Sequence, residues 1–226
     1  MSRVEVEKKV LNENQIVAEQ LRERYRQHGI LCVNLISAPG SGKTQLLEKT
    51  LERMDKRARV AVLTGDLQTE NDAQRLAKFG FPVKQIVTGG TCHLDARMVE
   101  RHLAAWKLED LDLLVVENVG NLVCPSSYDL GEDAKIVLLS TTEGEDKPLK
   151  YPSIFFKSEL MLLTKIDLLP YVPFSAEVAK ENARRVHPQM EILEVSSTTG
   201  EGLDAWMAWL DARQRKAKEK TKLVSA

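Results

Sequence analysis

The chain has 226 residues, a formal net charge of −1 and three cysteines, Cys32, Cys92 and Cys124. The near-neutral balance gives no global pull toward nucleic acid or an anionic membrane, so neither is an expected partner, and no apolar run approaches the length of a membrane span. The charged N-terminus lacks a signal-peptide core, so a cytoplasmic chain is expected. In a reducing compartment an odd cysteine count argues against a disulfide framework and leaves buried hydrophobes, metal ligands or nucleophiles.

Residues 1–28 are charged, with sparse apolar positions. Asn12 and Gln15 form a capping-box-like start, and Val17, Leu21 and Tyr25 recur at helical spacing. They predict a helix packed outside a sheet and ended by Gly29. Residues 31–37 read as a first buried strand, followed by a small-residue loop and a helix carrying Leu46, Leu47 and Leu51. Residues 59–64 are a second strand leading into Gly65-Asp66, 71–78 a helix and 82–87 a third strand. Gly89-Gly90 turns the chain before Cys92. A helix is predicted over 94–106, then strands over 111–116, 135–140 and 160–164. A helix at 176–186, a last strand at 191–195 and a helix opening at 203–210 with Trp206 and Trp209 complete the pattern. The basic tail, about 213–226, reads as a solvated helix end whose cations complement the helix dipole. Strands alternating with helices predict an α/β fold, a mostly parallel sheet with helices on both faces. The length suits one domain over 1–226.

Ser37-Ala38-Pro39-Gly40-Ser41-Gly42-Lys43-Thr44 fits the phosphate-loop pattern G-x-x-x-x-G-K-[ST] except at its first position, where Ser37 replaces Gly. Successive backbone N–H groups in such a loop make an anion nest, and the helix starting near Gly42 adds its positive dipole end. Lys43 is expected to reach the β- and γ-phosphates and the Thr44 hydroxyl to bind Mg²⁺. An ordinary Gly-rich turn would explain the glycines but not Lys-Thr at the required spacing. Glu117-Asn118-Val119-Gly120 follows an apolar strand. Glu117 there suits Mg²⁺ binding through water and the Gly120 N–H a γ-phosphate contact, or the carboxylate simply caps the next element. Asp66 and Asp72 lie where a switch loop is expected. Each reads either as a helix cap, with Thr69 beside Asp72, or as a group that binds Mg²⁺ and orients the attacking water.

Thr164-Lys165-Ile166-Asp167 resembles the N-K-x-D guanine motif of GTPases, with Thr in place of Asn. Asp167 would accept from guanine N1–H and the 2-amino group, a donor pair that adenine lacks, with Lys165 along the base plane; Thr164 in place of Asn weakens the contact to guanine O6/N7 and leaves Asp167 carrying the choice. Ser196, Ser197 and Thr198 follow the last strand, where GTPases present a small-residue loop to guanine O6. In this order the motifs point to a GTPase. GTP/GDP and Mg²⁺ are the expected cofactors, and Lys43, Asp66, Asp72 and Glu117 the expected catalytic groups.

Cys92-His93 follows Gly89-Gly90-Thr91 just after a strand, and Cys124 lies seven residues after Glu117, before Pro125. Both segments sit beyond C-terminal strand ends, where they can meet near the switch regions. Two thiolates and an imidazole suit Zn²⁺ or Ni²⁺. One protomer supplies three ligands, so a fourth is water or comes from a second protomer. Cys32, inside the first strand, reads as a buried hydrophobe.

The segments Thr88-Gly89-Gly90-Thr91-Cys92-His93-Leu94-Asp95-Ala96, Glu117-Asn118-Val119-Gly120-Asn121-Leu122-Val123-Cys124-Pro125 and Thr142-Glu143-Gly144 together resemble the hydrogenase nickel-incorporation GTPases of the HypB family. These belong to the SIMIBI class of P-loop NTPases, and the resemblance spans roughly residues 10–212. It implies that Cys92, His93 and Cys124 form a metal site at the interface of a homodimer promoted by GTP. It implies slow GTP hydrolysis coupled to nickel delivery into [NiFe]-hydrogenase. It also implies two partners, a small nickel- and zinc-binding accessory protein and the hydrogenase large-subunit precursor. By position, Lys150 would reach the nucleotide of the other protomer. Unlike some members, this sequence shows no N-terminal cysteine cluster and no His-rich stretch, so their additional nickel site or store is not expected. Two alternatives stand beside this reading. The urease-maturation GTPases share the loop and a Cys/His site, but typically as Cys-Pro-His, unlike Thr91-Cys92-His93 with a separate Cys124. A nucleotide-dependent binding switch with a structural zinc is the other.

Overall fold

The computed structural model describes residues 3–55, 58–66 and 71–224. These run through α1 (Arg3–His28), β1 (Leu31–Ser37), α2 (Lys43–Arg53), β2 (Val60–Asp66), α3 (Asn71–Ala77), β3 (Val83–Val87), α4 (Ala96–Leu103) and β4 (Leu113–Glu117). They continue through β5 (Ala134–Ser140), α5 (Lys147–Lys150), α6 (Pro152–Phe156), β6 (Leu160–Thr164), α7 (Ala176–Val186), β7 (Glu191–Val195) and α8 (Leu203–Val224). The strands form one seven-stranded sheet of order β3-β2-β4-β1-β5-β6-β7, and every pairing is parallel.

Strands buried on both faces read as continuous apolar runs, and β1 and β4 are buried at every residue. Alternation along β1 divides the core. Leu31, Val33 and Leu35 meet Leu46 and Leu47 of α2 and Trp206 and Leu210 of α8. Cys32 faces the other way, into Leu21 and Tyr25 of α1, and Ile36 into the layer holding Phe155 of α6 and Ala179 of α7. Each fully buried Leu or Ile contributes about 1.5–3 kcal/mol. The polar edge of Trp206 is matched, its Nε1–H donating to Thr50 Oγ1 at 2.9 Å. The expected α/β architecture with helices on both faces is borne out. Chain order reverses around β1, whose neighbours are β4 and β5, and ligand crevices in such sheets open at the carboxyl ends of the strands there.

Several local expectations are corrected. α1 begins at Arg3, so Asn12 and Gln15 are interior helix residues rather than a cap; Gln15 bonds Glu19 one turn on, at 2.9 Å. The buried anchor is Asn14, which donates to Asp129 O and accepts from Ala96 N–H, both at 2.8 Å. Gly29 ends the helix as expected, at φ +66°. β2 runs on through Gly65 to Asp66, which pairs with Val87, so Asp66 is not a helix cap. Helix α4 is shorter than predicted because Asp95 caps it, accepting from Met98 N–H at 2.7 Å. Helices α5 and α6 were not predicted; Pro148 and Pro152 open them and interrupt the apolar period. The basic stretch 213–222 is helical, but it is not simply solvated. Arg213 lies over the Trp209 ring at 4.8 Å and pairs with Glu191 at 2.8 Å, Lys218 pairs with Asp112 at 3.0 Å, and Thr221 donates to Arg26 O at 2.6 Å. Thr69 lies outside the described residues. Among the described residues, no helix is long and apolar enough to cross a membrane.

Candidate functional site

The loop joining β1 to α2 turns through Gly40 at φ +75° and Gly42 at φ +92°, left-handed conformations that glycine adopts without strain. Lys43 opens α2 and is 8% exposed. Its Nζ donates to Ser37 Oγ at 2.7 Å, so the residue that departs from the loop pattern is the one that holds the lysine. Burial pushes the Lys43 ammonium below its ordinary pKa, against the pull of Glu117, Asp72 and Glu143. Thr44 Oγ1 donates to Glu117 Oε1 at 2.7 Å. Glu117 is 4% exposed, and its Oε2 has no hydrogen-bond partner. Burial raises this carboxyl to about 7, opposed by Lys43 and the Thr44 bond. A buried carboxylate oxygen without a partner is costly, and beside Thr44 the oxygen donors suit a hard cation such as Mg²⁺.

These groups line a cleft of ≈ 600 Å³ that also collects Pro39, Gly40, Asp66, Asp72, Gly120 and Lys165. A Cβ on Gly120 would meet Pro39 Cα at 3.0 Å, so the segment after β4 lies directly on the phosphate loop. The cleft also holds a cation that the motifs did not reveal. Arg75 forks onto Glu48 at 3.0 and 2.8 Å and reaches Asp72 at 3.3 Å. Only the Asp72–Arg75 spacing, three residues apart on a helix, signals this pairing in advance.

At the base end, Thr164 is buried and its hydroxyl donates to Ser41 O at 2.8 Å. It braces the phosphate loop rather than facing a base, which corrects the expected contact. Lys165, at φ +59°, donates from Nζ to Gly40 O at 2.8 Å. Asp167 Oδ1 accepts from Ser196 Oγ at 2.6 Å, and that oxygen accepts the N–H groups of Thr198 and Thr199 at 3.2 and 3.1 Å. Asp167 and the loop 196–199 thus gather together, and none of these residues lines the cleft, though Lys165 does. Lys150 is exposed on α5 and does not line the cleft. Glu143 joins the two regions: Oε1 lies 2.7 Å from Ser41 Oγ and accepts Ser140 N–H at 3.1 Å, while Oε2 pairs with Lys147 of α5 at 3.5 Å.

The third group sits where the chain leaves β3 and β4. Cys92 Sγ is 3.0 Å from Cys124 Sγ, and ligand atoms of Cys92, His93 and Cys124 all lie within 4.8 Å of one another. Cys92 is exposed. The His93 ring stacks on Tyr128 with centroids 3.8 Å apart, and its Nδ1 is buried without a partner. Burial lowers the His93 pKa, which favours the neutral, ligating form. Contact with Cys92 raises the Cys124 thiol. Asn121 spans the two loops, donating to Cys92 O at 3.1 Å and accepting from Val123 N–H at 2.9 Å. Cys32 is wholly buried and its thiol is pushed well up by burial, as expected of a core residue.

The CobW/HypB/UreG nucleotide-binding domain matches residues 31–194, which hold the phosphate loop, the cysteine–histidine cluster and Asp167. The hydrogenase maturation factor HypB of Escherichia coli (strain K12) is 50% identical over 211 residues, covering 93% of this chain and 73% of that protein. A Helicobacter pylori protein named hydrogenase/urease maturation factor HypB is 40% identical over 222 residues, covering 96% and 91%. The crystal structure of HypB from Helicobacter pylori in complex with nickel superposes with a TM-score of 0.85 at 41% identity, covering 90% of this chain and 96% of that one. Similarity at this level over nearly the whole chain places it in the HypB hydrogenase maturation factors, within the CobW/HypB/UreG family of P-loop nucleotide-binding proteins.

Proposed function

We propose that this chain is a GTP-hydrolysing metallochaperone that delivers nickel during [NiFe]-hydrogenase maturation. The observation that carries the reading is the Cys92–His93–Cys124 cluster standing on loops continuous with the nucleotide cleft. The phosphates sit in the nest between Gly40 and Thr44, with Lys43 balancing charge on the transferring group. Thr44 and Glu117 would hold Mg²⁺, with Asp66 or Asp72 beside them, and the ion would supply charge neutralisation of the phosphates. Asp72 or Asp66 orients the attacking water. Asp167, fixed by Ser196, reads guanine. GTP promotes a homodimer in which Lys150 reaches the partner's nucleotide, and the two clusters complete a shared site for Ni²⁺ or Zn²⁺ as cargo. A small nickel- and zinc-binding accessory protein and the hydrogenase large-subunit precursor are the proposed partners. Free thiols fit a reducing compartment, here the cytoplasm. Urease as a further client is a second reading, favoured by the name of the Helicobacter pylori relative.

The nucleotide assignment is tested by competition between GTP and ATP for the purified protein. GTP is expected to win clearly, and Asp167→Asn to weaken GTP about tenfold or more while improving xanthine nucleotide, whose 2-oxo group accepts from the new amide. Equal affinity for ATP and GTP rejects the reading.

A further inference from the structure

The wall of the nucleotide cleft holds a buried side chain to which neither chemistry gives a role. Asn118 follows Glu117 at the end of β4 and is 1% exposed. Its Oδ1 accepts two main-chain N–H groups, Leu94 at 3.2 Å and Val119 at 3.0 Å. Leu94 is the residue after His93. Val119 leads into Gly120, which lies on the phosphate loop so closely that a Cβ would come within 3.0 Å of Pro39 Cα. One carboxamide oxygen is therefore shared by the metal-ligand loop and the cleft wall. The other arm is anchored in the sheet: Nδ2 donates to Asn34 Oδ1 at 3.3 Å, and Asn34 in turn reaches Glu132 Oε1 at 3.1 Å. Asn121 adds an outer tie between Cys92 and the approach to Cys124.

Buried N–H groups are costly to leave unpaired. If Val119 and Gly120 shift against the phosphate loop, Oδ1 must follow Val119, abandon it, or carry Leu94 along. The two loops behave as one piece so long as the oxygen is present. We propose that Asn118 is the positioning residue that transmits nucleotide state to the metal site, moving Cys92 and His93 with the segment Glu117 to Gly120. The inference deepens the proposed function and rests on its reading of the cleft and the cluster.

The test uses the full chain and Zn²⁺ as probe. Affinity is measured against a chromophoric chelator, with GDP and with a non-hydrolysable GTP analogue, for the unaltered protein, Asn118→Ala and Asn118→Asp. The aspartate keeps the accepting oxygen. Alkylation rates of Cys92 and Cys124 without metal give a second readout, since Cys32 is buried and silent. The unaltered protein should show Zn²⁺ affinities about 5–150-fold apart in the two states. In Asn118→Ala that ratio should fall to within about twofold of one, and the two alkylation rates should converge. At saturating nucleotide its GDP-state Zn²⁺ affinity should stay nearly unchanged, and Asn118→Asp should keep most of the ratio. An unchanged ratio in Asn118→Ala, or equal Zn²⁺ loss in both states, overturns the proposal alone. If Asn118→Ala does not fold, Asn118→Asp decides, and loss of its ratio counts against the proposal. Absence of any nucleotide dependence in the unaltered protein overturns both this proposal and the coupled reading on which it rests.

Discussion

In the nucleotide cleft Lys43 and Glu117 are buried, and the polar groups answer one another within a single chain. Lys43 is held by Ser37, Thr44 by Glu117, and Arg75 by Glu48 and Asp72. The cysteine–histidine cluster at the same end of the sheet is built differently. Cys92 is exposed, His93 leaves Nδ1 unpartnered, and one chain supplies three ligand side chains. The cleft is organised before its ligand arrives, which suits electrostatic catalysis. The cluster is accessible and short of a tetrahedral set, which suits a cargo that must be taken up and handed on.

The largest effect expected from this contrast falls on the cleft. Lys43→Ala should lower GTP turnover about a hundredfold, on the order of 3 kcal/mol, when phosphate release is followed. Unchanged turnover would remove the cleft from the chemistry. Next, Cys92→Ala and Cys124→Ala should each weaken Zn²⁺ or Ni²⁺ at least about tenfold, leaving GTP affinity of the monomer nearly unchanged. A parallel loss of nucleotide would mean that the two regions are one site.

A third effect, on stability rather than on activity or binding, sharpens the burial side of the comparison. The Glu117 carboxyl is raised from its ordinary 4.5 to about 7 in the folded, ligand-free chain. A raised folded pKa means that the native state binds the proton more tightly than the unfolded chain. Its contribution to stability is fully present below about pH 4.5 and is lost as pH rises through 7, a change on the order of 3 kcal/mol. Glu117→Gln stays neutral and should lack this dependence. Its stability relative to the unaltered protein should therefore rise between pH 5 and pH 8 in denaturant unfolding without nucleotide. A constant difference would mean that the carboxyl is not strained by burial.

Much of this was legible in the sequence because it is written locally. The strands are continuous apolar runs, the phosphate loop is a contiguous motif, and Cys92-His93 stands out in a Gly-Gly loop where a buried hydrophobe has no place. What was not legible depends on residues far apart in the chain. Ser37 looked like a defect in the loop pattern and proves to hold Lys43. Thr164 looked like a weakened base contact and turns inward to Ser41, 123 residues away. The Asn12 cap was overridden because the helix continues through the charged residues before it, and the Asp66 cap because pairing with β3 carries β2 two residues further. Asn118 and Asn121 lay inside a quoted motif, yet nothing local indicates that their amides join the loops bearing Cys92 and Cys124.

On the proposed function, GTP brings two incomplete clusters together. Sedimentation of the purified chain with GDP or a non-hydrolysable GTP analogue, each with and without Zn²⁺ or Ni²⁺, tests it most directly. A dimer should form with the GTP analogue and be strengthened by metal, by the same factor with which the GTP state strengthens metal binding. A monomer under every condition would contradict the shared site.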